Sequence, residues 1–180
     1  MILFFYKLFL GFCIVCVVQA CNKQTDDKAI VKYWIDREII IPNLDAKING
    51  RDTICNDIIT KKYKILVYID TTGCISCRLK LLDWQKYIDQ IKSISNDIGF
   101  LFVVFSNNYQ KFEDLQLKNH FHYPVFYDPK ARLNQTNNLP KDDRYQVFLL
   151  NENNRVWGIG NPILNSEIHK LYEKIITEKL

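Results

Sequence analysis

"IDTTGCISCRLKLLDW", residues 69–84, holds two cysteines two residues apart, at the junction between two kinds of sequence. Before it runs "KILVYI" (64–69), a short β-branched and aromatic run that predicts a buried strand. After it, within "CISCRLKLLDWQKYIDQIKSI" (74–94), Leu81, Trp84, Ile88 and Ile91 recur at helical spacing and mark one apolar face. A cysteine pair at a strand-to-helix junction is a redox couple, half a metal site or a covalent staple. The rest of the chain has to choose among them.

Compartment decides what thiols do. The chain opens "MILFFYKLFLGFCIVCVVQACNKQTDDK", where Lys7 precedes an apolar run from Leu8 to Val18. That run has the length of a signal-peptide core and is short for a bilayer span. It ends in Val18-Gln19-Ala20-Cys21, which resembles the bacterial lipobox. The resemblance implies cleavage before Cys21 and lipid attachment to that cysteine, with the protein on the periplasmic side of a bacterial membrane. An N-terminal anchor that is never cleaved is the alternative. Either way the domain is expected outside the cytoplasm, where disulfides persist. The expected division is a signal peptide at 1–20, a tether and helical segment at 21–37, and a domain at 38–180.

Of six cysteines, Cys13 and Cys16 would leave with the leader and Cys21 would carry lipid, so Cys55, Cys74 and Cys77 remain. An odd number argues against a dense disulfide scaffold. Cys55 is expected to be a small buried hydrophobe, with a resolving-thiol role as the alternative. The net charge of +4 falls to +3 without Lys7, and no basic cluster with interleaved aromatics marks a nucleic-acid surface. Roughly 160 residues after the leader are enough for one domain with a sizeable core.

Further elements follow along the chain. "EIIIP" (38–42) predicts a short strand stopped by Pro42, and "LDAKINGRDT" (44–53) a hairpin turning at Asn49-Gly50. "ICNDIITKKY" (54–63) is a connection, helical in part. "GFLFVVFS" (99–106) predicts a second buried strand, "YQKFEDLQLKNHF" (109–121) a helix, "YPVFYD" (123–128) a strand, and "ARLNQTNNL" (131–139) a short helix or turn. "YQVFLLN" and "NRVWGIG" predict an antiparallel pair. The closing helix is capped by Asn165 or Ser166, with Ile168, Leu171 and Ile175 as its buried stripe. Tyr63, Tyr68, Trp84, Phe100 and Phe102 are expected in the core. Helices between the first strands require parallel pairing, so the fold class is α/β, a mixed sheet flanked by helices.

Strand, CxxC, helix, a βαβ unit, then a hairpin and a final helix resembles the thioredoxin-like superfamily. With the extra N-terminal β-hairpin and the exported context, it is more specifically similar to TlpA-like lipoproteins. The resemblance covers about residues 38–180, and "YIDTTGCISC" carries it most specifically. It implies a thiol-disulfide oxidoreductase with no bound cofactor. The implied partners are a protein disulfide substrate or redox partner and the membrane, through the N-terminal lipid, and the protein is expected as a monomer. A helix start favours thiolate at Cys74, as does the charge of Arg78, so Cys74 is the expected nucleophile. Cys77, one turn on, is the expected resolving cysteine. Asp70 either takes protons from Cys77, opposes thiolate formation by its charge, or is a solvated strand-end carboxylate.

Three features depart from the usual pattern. Ile75-Ser76 fills the space between the cysteines, and Gly73 precedes Cys74 where tryptophan is usual. The usual cis-proline before the penultimate strand is missing. Its place falls near Tyr145, which with Arg78 is a candidate modulating residue. A trans peptide is expected there, because a non-proline cis bond costs several kcal/mol. His120 and His122 add two possible zinc ligands, but nothing brings them to Cys74, and no metal is expected. Peroxide reduction would need a single cysteine activated by a nearby Arg and Thr/Pro set, which is not evident. The alternative from another class is a binding or structural module whose disulfide is permanent.

Overall fold

A computed structural model of the chain describes residues 27–71 and 80–179. The described residues fall into two units, divided between Ile35 and Asp36. In the first, helix α1 covers 27–34, and the Ile35 amide bonds the Val31 carbonyl at 3.0 Å. Among the described residues no helix is long and apolar enough to cross a membrane.

The second unit is built on a mixed sheet. Its strands are β1 (Asp45–Ile48), β2 (Arg51–Asp52), β3 (Tyr63–Asp70), β4 (Ile98–Phe105), β5 (Val125–Tyr127), β6 (Val147–Leu150) and β7 (Val156–Ile159). Its helices are α2 (Asn56–Thr60), α3 (Leu81–Ile94), α4 (Tyr109–Lys118), α5 (Arg132–Asn137) and α6 (Ser166–Lys179), with a 3-10 turn at Asp143–Tyr145. The strand order is β2-β1-β5-β4-β3-β6-β7. β3, β4 and β5 run parallel, while β6 lies antiparallel to β3 and β7 to β6. The β3–β4 register runs unbroken from Tyr63↔Ile98 to Asp70↔Phe105. Both strands are buried along almost their whole length, as parallel strands covered on two faces must be.

The N-terminal hairpin forms where the Asn-Gly pair predicts it. Asn49 (φ 49°) and Gly50 (φ 77°) both take left-handed conformations, the requirement of a two-residue turn that matches strand twist. β1 then pairs antiparallel with β5, so the hairpin extends the sheet beyond the βαβ units.

Register gives each sheet face its cover. Ile65, Val67, Phe100 and Phe102 share one face, and Trp84 of α3 meets Phe102 edge-on at 5.3 Å. On the opposite face, α2 comes so close to β4 that a side chain at Gly99 has no room. An added Cβ would lie 2.4 Å from the Ile58 carbonyl oxygen. Gly99→Ala is therefore expected to cost about 1–3 kcal/mol, the usual penalty for overpacking against backbone. A urea denaturation midpoint would show it, with the m-value unchanged if only stability has moved.

The structure departs from the sequence expectations at three elements. The strand expected at 38–41 is a single bridge, Glu38↔Arg155. The cause is distant in sequence: the Asn137 side-chain amide takes both backbone groups of Ile40, accepting from its N–H at 2.8 Å and donating to its carbonyl at 2.9 Å. The flanking residues 36–39 line the β7 margin through Asp36 N–H to Val156 O (2.8 Å), Val156 N–H to Arg37 O (2.9 Å) and Ile39 N–H to Asn154 O (2.9 Å).

The helix expected over 74–94 is described only from Leu81. Lys80 stands before it at φ 39°, ψ 48°, so no helix runs unbroken through residue 80. Within α3 the expected stripe is correct: Leu81, Trp84, Ile88 and Ile91 are buried, joined by Tyr87.

In α6 the buried stripe is displaced. Leu171 is 42% exposed, while Tyr172 and Ile176 are buried. Tyr172 fills the space over Gly158, where an added Cβ would lie 2.8 Å from its ring, and its hydroxyl reaches Gly160 O at 3.1 Å. Asn165 caps this helix as expected, accepting from the Glu167 amide at 2.9 Å.

Candidate functional site

Four separated stretches meet at the carboxyl end of β3. The strand itself supplies Val67, Ile69 and Asp70. Thr71 carries the pairing with β4 one residue further, its amide (3.0 Å) and hydroxyl (3.1 Å) both donating to the Phe105 carbonyl. Nine residues on, the described structure resumes at Lys80, whose carbonyl accepts from the Trp84 amide at 3.0 Å in the first turn of α3.

The third stretch is the 3-10 turn before β6. Asp142 caps it by accepting from the Arg144 amide at 3.0 Å. Gln146 ties it down on two sides: its side-chain amide donates to Pro140 O at 3.0 Å, and its carbonyl accepts from the Tyr68 amide at 2.9 Å. The fourth stretch is the turn before α6, closed by Asn161 Oδ1 on the Ile163 amide at 2.9 Å.

Together these enclose a cleft of about 210 Å³. Val67, Ile69, Trp84, Val147 and Leu164 give it apolar walls. Asp70, Asp143, Gln146 and Asn161 supply its polar lining.

Of the residues singled out from sequence, Asp70 is the exposed last residue of β3 and lines this cleft. Tyr145 is buried in the 3-10 turn, with the Arg144 guanidinium 5.1 Å from its ring centre. It is the neighbours Asp143 and Gln146 that line the cleft. Every peptide bond among the described residues is trans, those of 143–147 included. Cys74, Cys77 and Arg78 lie between Thr71 and Lys80, and Cys21 precedes residue 27; all four are outside the described residues.

Sequence reasoning placed Trp84 in the core and did not single out Asp143, Gln146, Asn161 or Leu164. No local signal marks them, because only the fold joins 67–70 to 143–147 and 161–164.

Cys55 is buried, as expected of a small hydrophobe. Burial pushes its thiol up and the negative charge of Asp57 adds to this, against the Thr53 hydroxyl, whose Oγ1 lies 4.0 Å from Sγ and can donate to the thiolate. A thiol so placed is a poor nucleophile near neutral pH. Iodoacetamide at pH 8 is therefore expected to leave Cys55 unmodified in the native protein and to label it in denaturant. Mass mapping of the Cys55 peptide distinguishes the two.

His120 and His122 flank buried Phe121 in a turn, not on a strand, with ring centres 6.5 Å apart. His122 Nδ1 lies 3.3 Å from the Asn49 side-chain amide. Among the described residues no group of three or more His, Cys, Asp or Glu side chains is arranged to hold a metal.

No family model and no curated protein matches the chain. Solved structures do resemble it. StoA from Bacillus subtilis is 24% identical, with 73% of this chain and 95% of that one covered at a TM-score of 0.53. AhpC from Mycobacterium bovis is 17% identical, covering 81% and 94% at 0.61. The thioredoxin domain of a thiol-disulfide oxidoreductase from Bacteroides vulgatus is 12% identical, covering 76% and 96% at 0.56. At these identities the likeness is one of architecture: the chain has the thioredoxin-like fold, a mixed seven-stranded sheet flanked by helices.

Proposed function

We propose that the protein is a thiol-disulfide oxidoreductase acting outside the cytoplasm, of the TlpA-like lipoprotein kind, through Cys74 and Cys77. One observation carries this. The CxxC motif belongs to the ten residues, 71–80, that join the parallel strand β3 to α3 in a thioredoxin-like sheet. The cleft lies beside the strand end that leads into that segment.

In the forward direction the Cys74 thiolate attacks one sulfur of a partner's disulfide, and the partner's other sulfur leaves as a thiolate. Cys77, losing its proton, then attacks Cys74 Sγ and expels the partner's first sulfur. Two electrons and two protons pass from the dithiol to the partner, and a thiol donor must restore the pair. The reverse sequence oxidises a partner dithiol. Asp70 is the candidate acceptor for the Cys77 proton, Arg78 the charge that favours thiolate, and Tyr145 a modulating residue of the turn before β6. The lipid on Cys21 tethers the domain, as a monomer facing the periplasm.

Insulin reduction by the full-length protein, with a glutathione titration of the pair, tests this. Turnover with a potential above about −300 mV is expected. A potential far below that value with no turnover overturns it in favour of a non-catalytic module with a permanent disulfide. Loss of radiolabelled palmitate in Cys21→Ala tests the anchor.

A further inference from the structure

We propose that Gln90 of α3, with His169 and Glu173 of α6, forms a zinc site that clips the last helix of the domain to α3. The proposal is independent of the thiol chemistry above.

His169 and Glu173 stand four residues apart, so one turn of α6 brings both side chains to the same face. His169 Nε2 lies 3.5 Å from Glu173 Oε1. From the facing helix, the Gln90 amide lies 3.4 Å from the same nitrogen and hydrogen-bonds the same carboxylate oxygen. Zinc bonds imidazole nitrogen and carboxylate oxygen at about 2.0–2.2 Å, and two such bonds at the tetrahedral angle set the donor atoms roughly 3.3–3.5 Å apart. The His169–Glu173 and Gln90–His169 separations already match that spacing. At 3.5 Å the His169–Glu173 pair is also too long for an ordinary N–H···O bond. Gln90 has to turn its amide over to present oxygen, which an exposed side chain does without moving the helix.

The surroundings suit a cation. Among the described residues no lysine or arginine pairs with Glu173. His169 and Glu173 are each 29% exposed, so an ion reaches them from solvent. On the inner side the buried Tyr87 ring lies 4.9 Å from the imidazole. Tyr87 Oη is buried at this helix contact with no hydrogen-bond partner. Zinc with three protein ligands keeps a water, and such a water is a donor for a phenol oxygen. One imidazole with two oxygen donors favours zinc over calcium or magnesium, which take oxygen alone.

The probe is zinc chloride alone, titrated into the full-length chain in detergent micelles. Accessible thiols are alkylated first, so that Cys74 and Cys77 do not compete for the ion. Ring ¹⁵N spectra resolve the three histidines of the chain. The His169 Nε2 signal is expected to move and to saturate at one zinc per chain, with His120 and His122 unmoved. Glu173→Gln is expected to weaken binding about tenfold or more, since loss of even an outer partner of a metal ligand costs roughly 10–100-fold. Gln90→Glu, which exchanges the amide for a second carboxylate, is expected to tighten it about tenfold.

No movement of the His169 ring at millimolar zinc, or movement of His120 or His122 alone, overturns the proposal and leaves the three side chains as a hydrogen-bond network only. So does an affinity unchanged in Glu173→Gln. Gln90→Glu acts by gain, so the proposal also fails if that variant binds zinc no tighter than the parent chain, whether or not Glu173→Gln folds.

Discussion

Cys77→Ser is expected to stop disulfide exchange halfway, so that the protein accumulates as a covalent adduct with its partner and insulin turnover falls to the uncatalysed rate. With the second thiol gone, nothing tethered close by can attack Cys74 Sγ, and the mixed disulfide waits for a solution thiol. Cys74→Ser is expected to lose turnover equally but to form no adduct, because the attacking sulfur itself is missing. Non-reducing gels and intact mass after mixing with oxidised insulin separate the two variants. An adduct on Cys74→Ser and none on Cys77→Ser would exchange the roles of the two cysteines. Full turnover in both would remove the pair from the chemistry altogether.

Phe102→Ala is expected to be the most destabilising of the simple core truncations. Phe102 is fully buried at the middle of β4. Its ring meets Trp84 at 5.3 Å, Phe121 at 5.2 Å and Tyr123 at 5.9 Å, the first two near perpendicular. Truncation loses the transfer free energy of the ring and leaves a cavity that α3 and the strand cannot close without moving. The expected cost is about 3–5 kcal/mol, a fall in Tm of roughly 6–20 °C for a domain of this size. Calorimetry reads it directly. A loss under 1 kcal/mol would mean that Trp84 collapses into the space.

How much was legible from the sequence differs by element for physical reasons. β3 and β4 were legible because burial on both faces leaves an uninterrupted apolar run, which needs no knowledge of the neighbours. The Asn49-Gly50 turn and the Asn165 cap were legible because each is a local backbone requirement met by a local side chain.

The stripe of α6 was misread by one residue. Leucine outranks tyrosine in hydrophobicity, yet Tyr172 occupies the core because Gly158 leaves it room and Gly160 offers its hydroxyl a carbonyl. The strand at 38–41 gave way to a side chain almost a hundred residues distant, Asn137 on Ile40. Lys80 in a left-handed conformation carries no composition signal, since glycine or asparagine would be the usual choice. The CxxC motif and Asp70 were visible as candidates. The cleft was not, because its walls come from four stretches that only the sheet order brings together.

The ends of the sheet bear on how the protein behaves when crowded. At one margin an approaching copy meets β2, two exposed residues of opposite charge, with Asp52 clasped by Lys47 at 2.6 Å. At the other, segment 36–39 already occupies hydrogen-bonding positions along β7 and the turn before it. Exposed ladders are what feed fibrils and strand-swapped aggregates. In this domain a two-residue charged strand ends one margin, and the protein's own segment 36–39 occupies the start of the other.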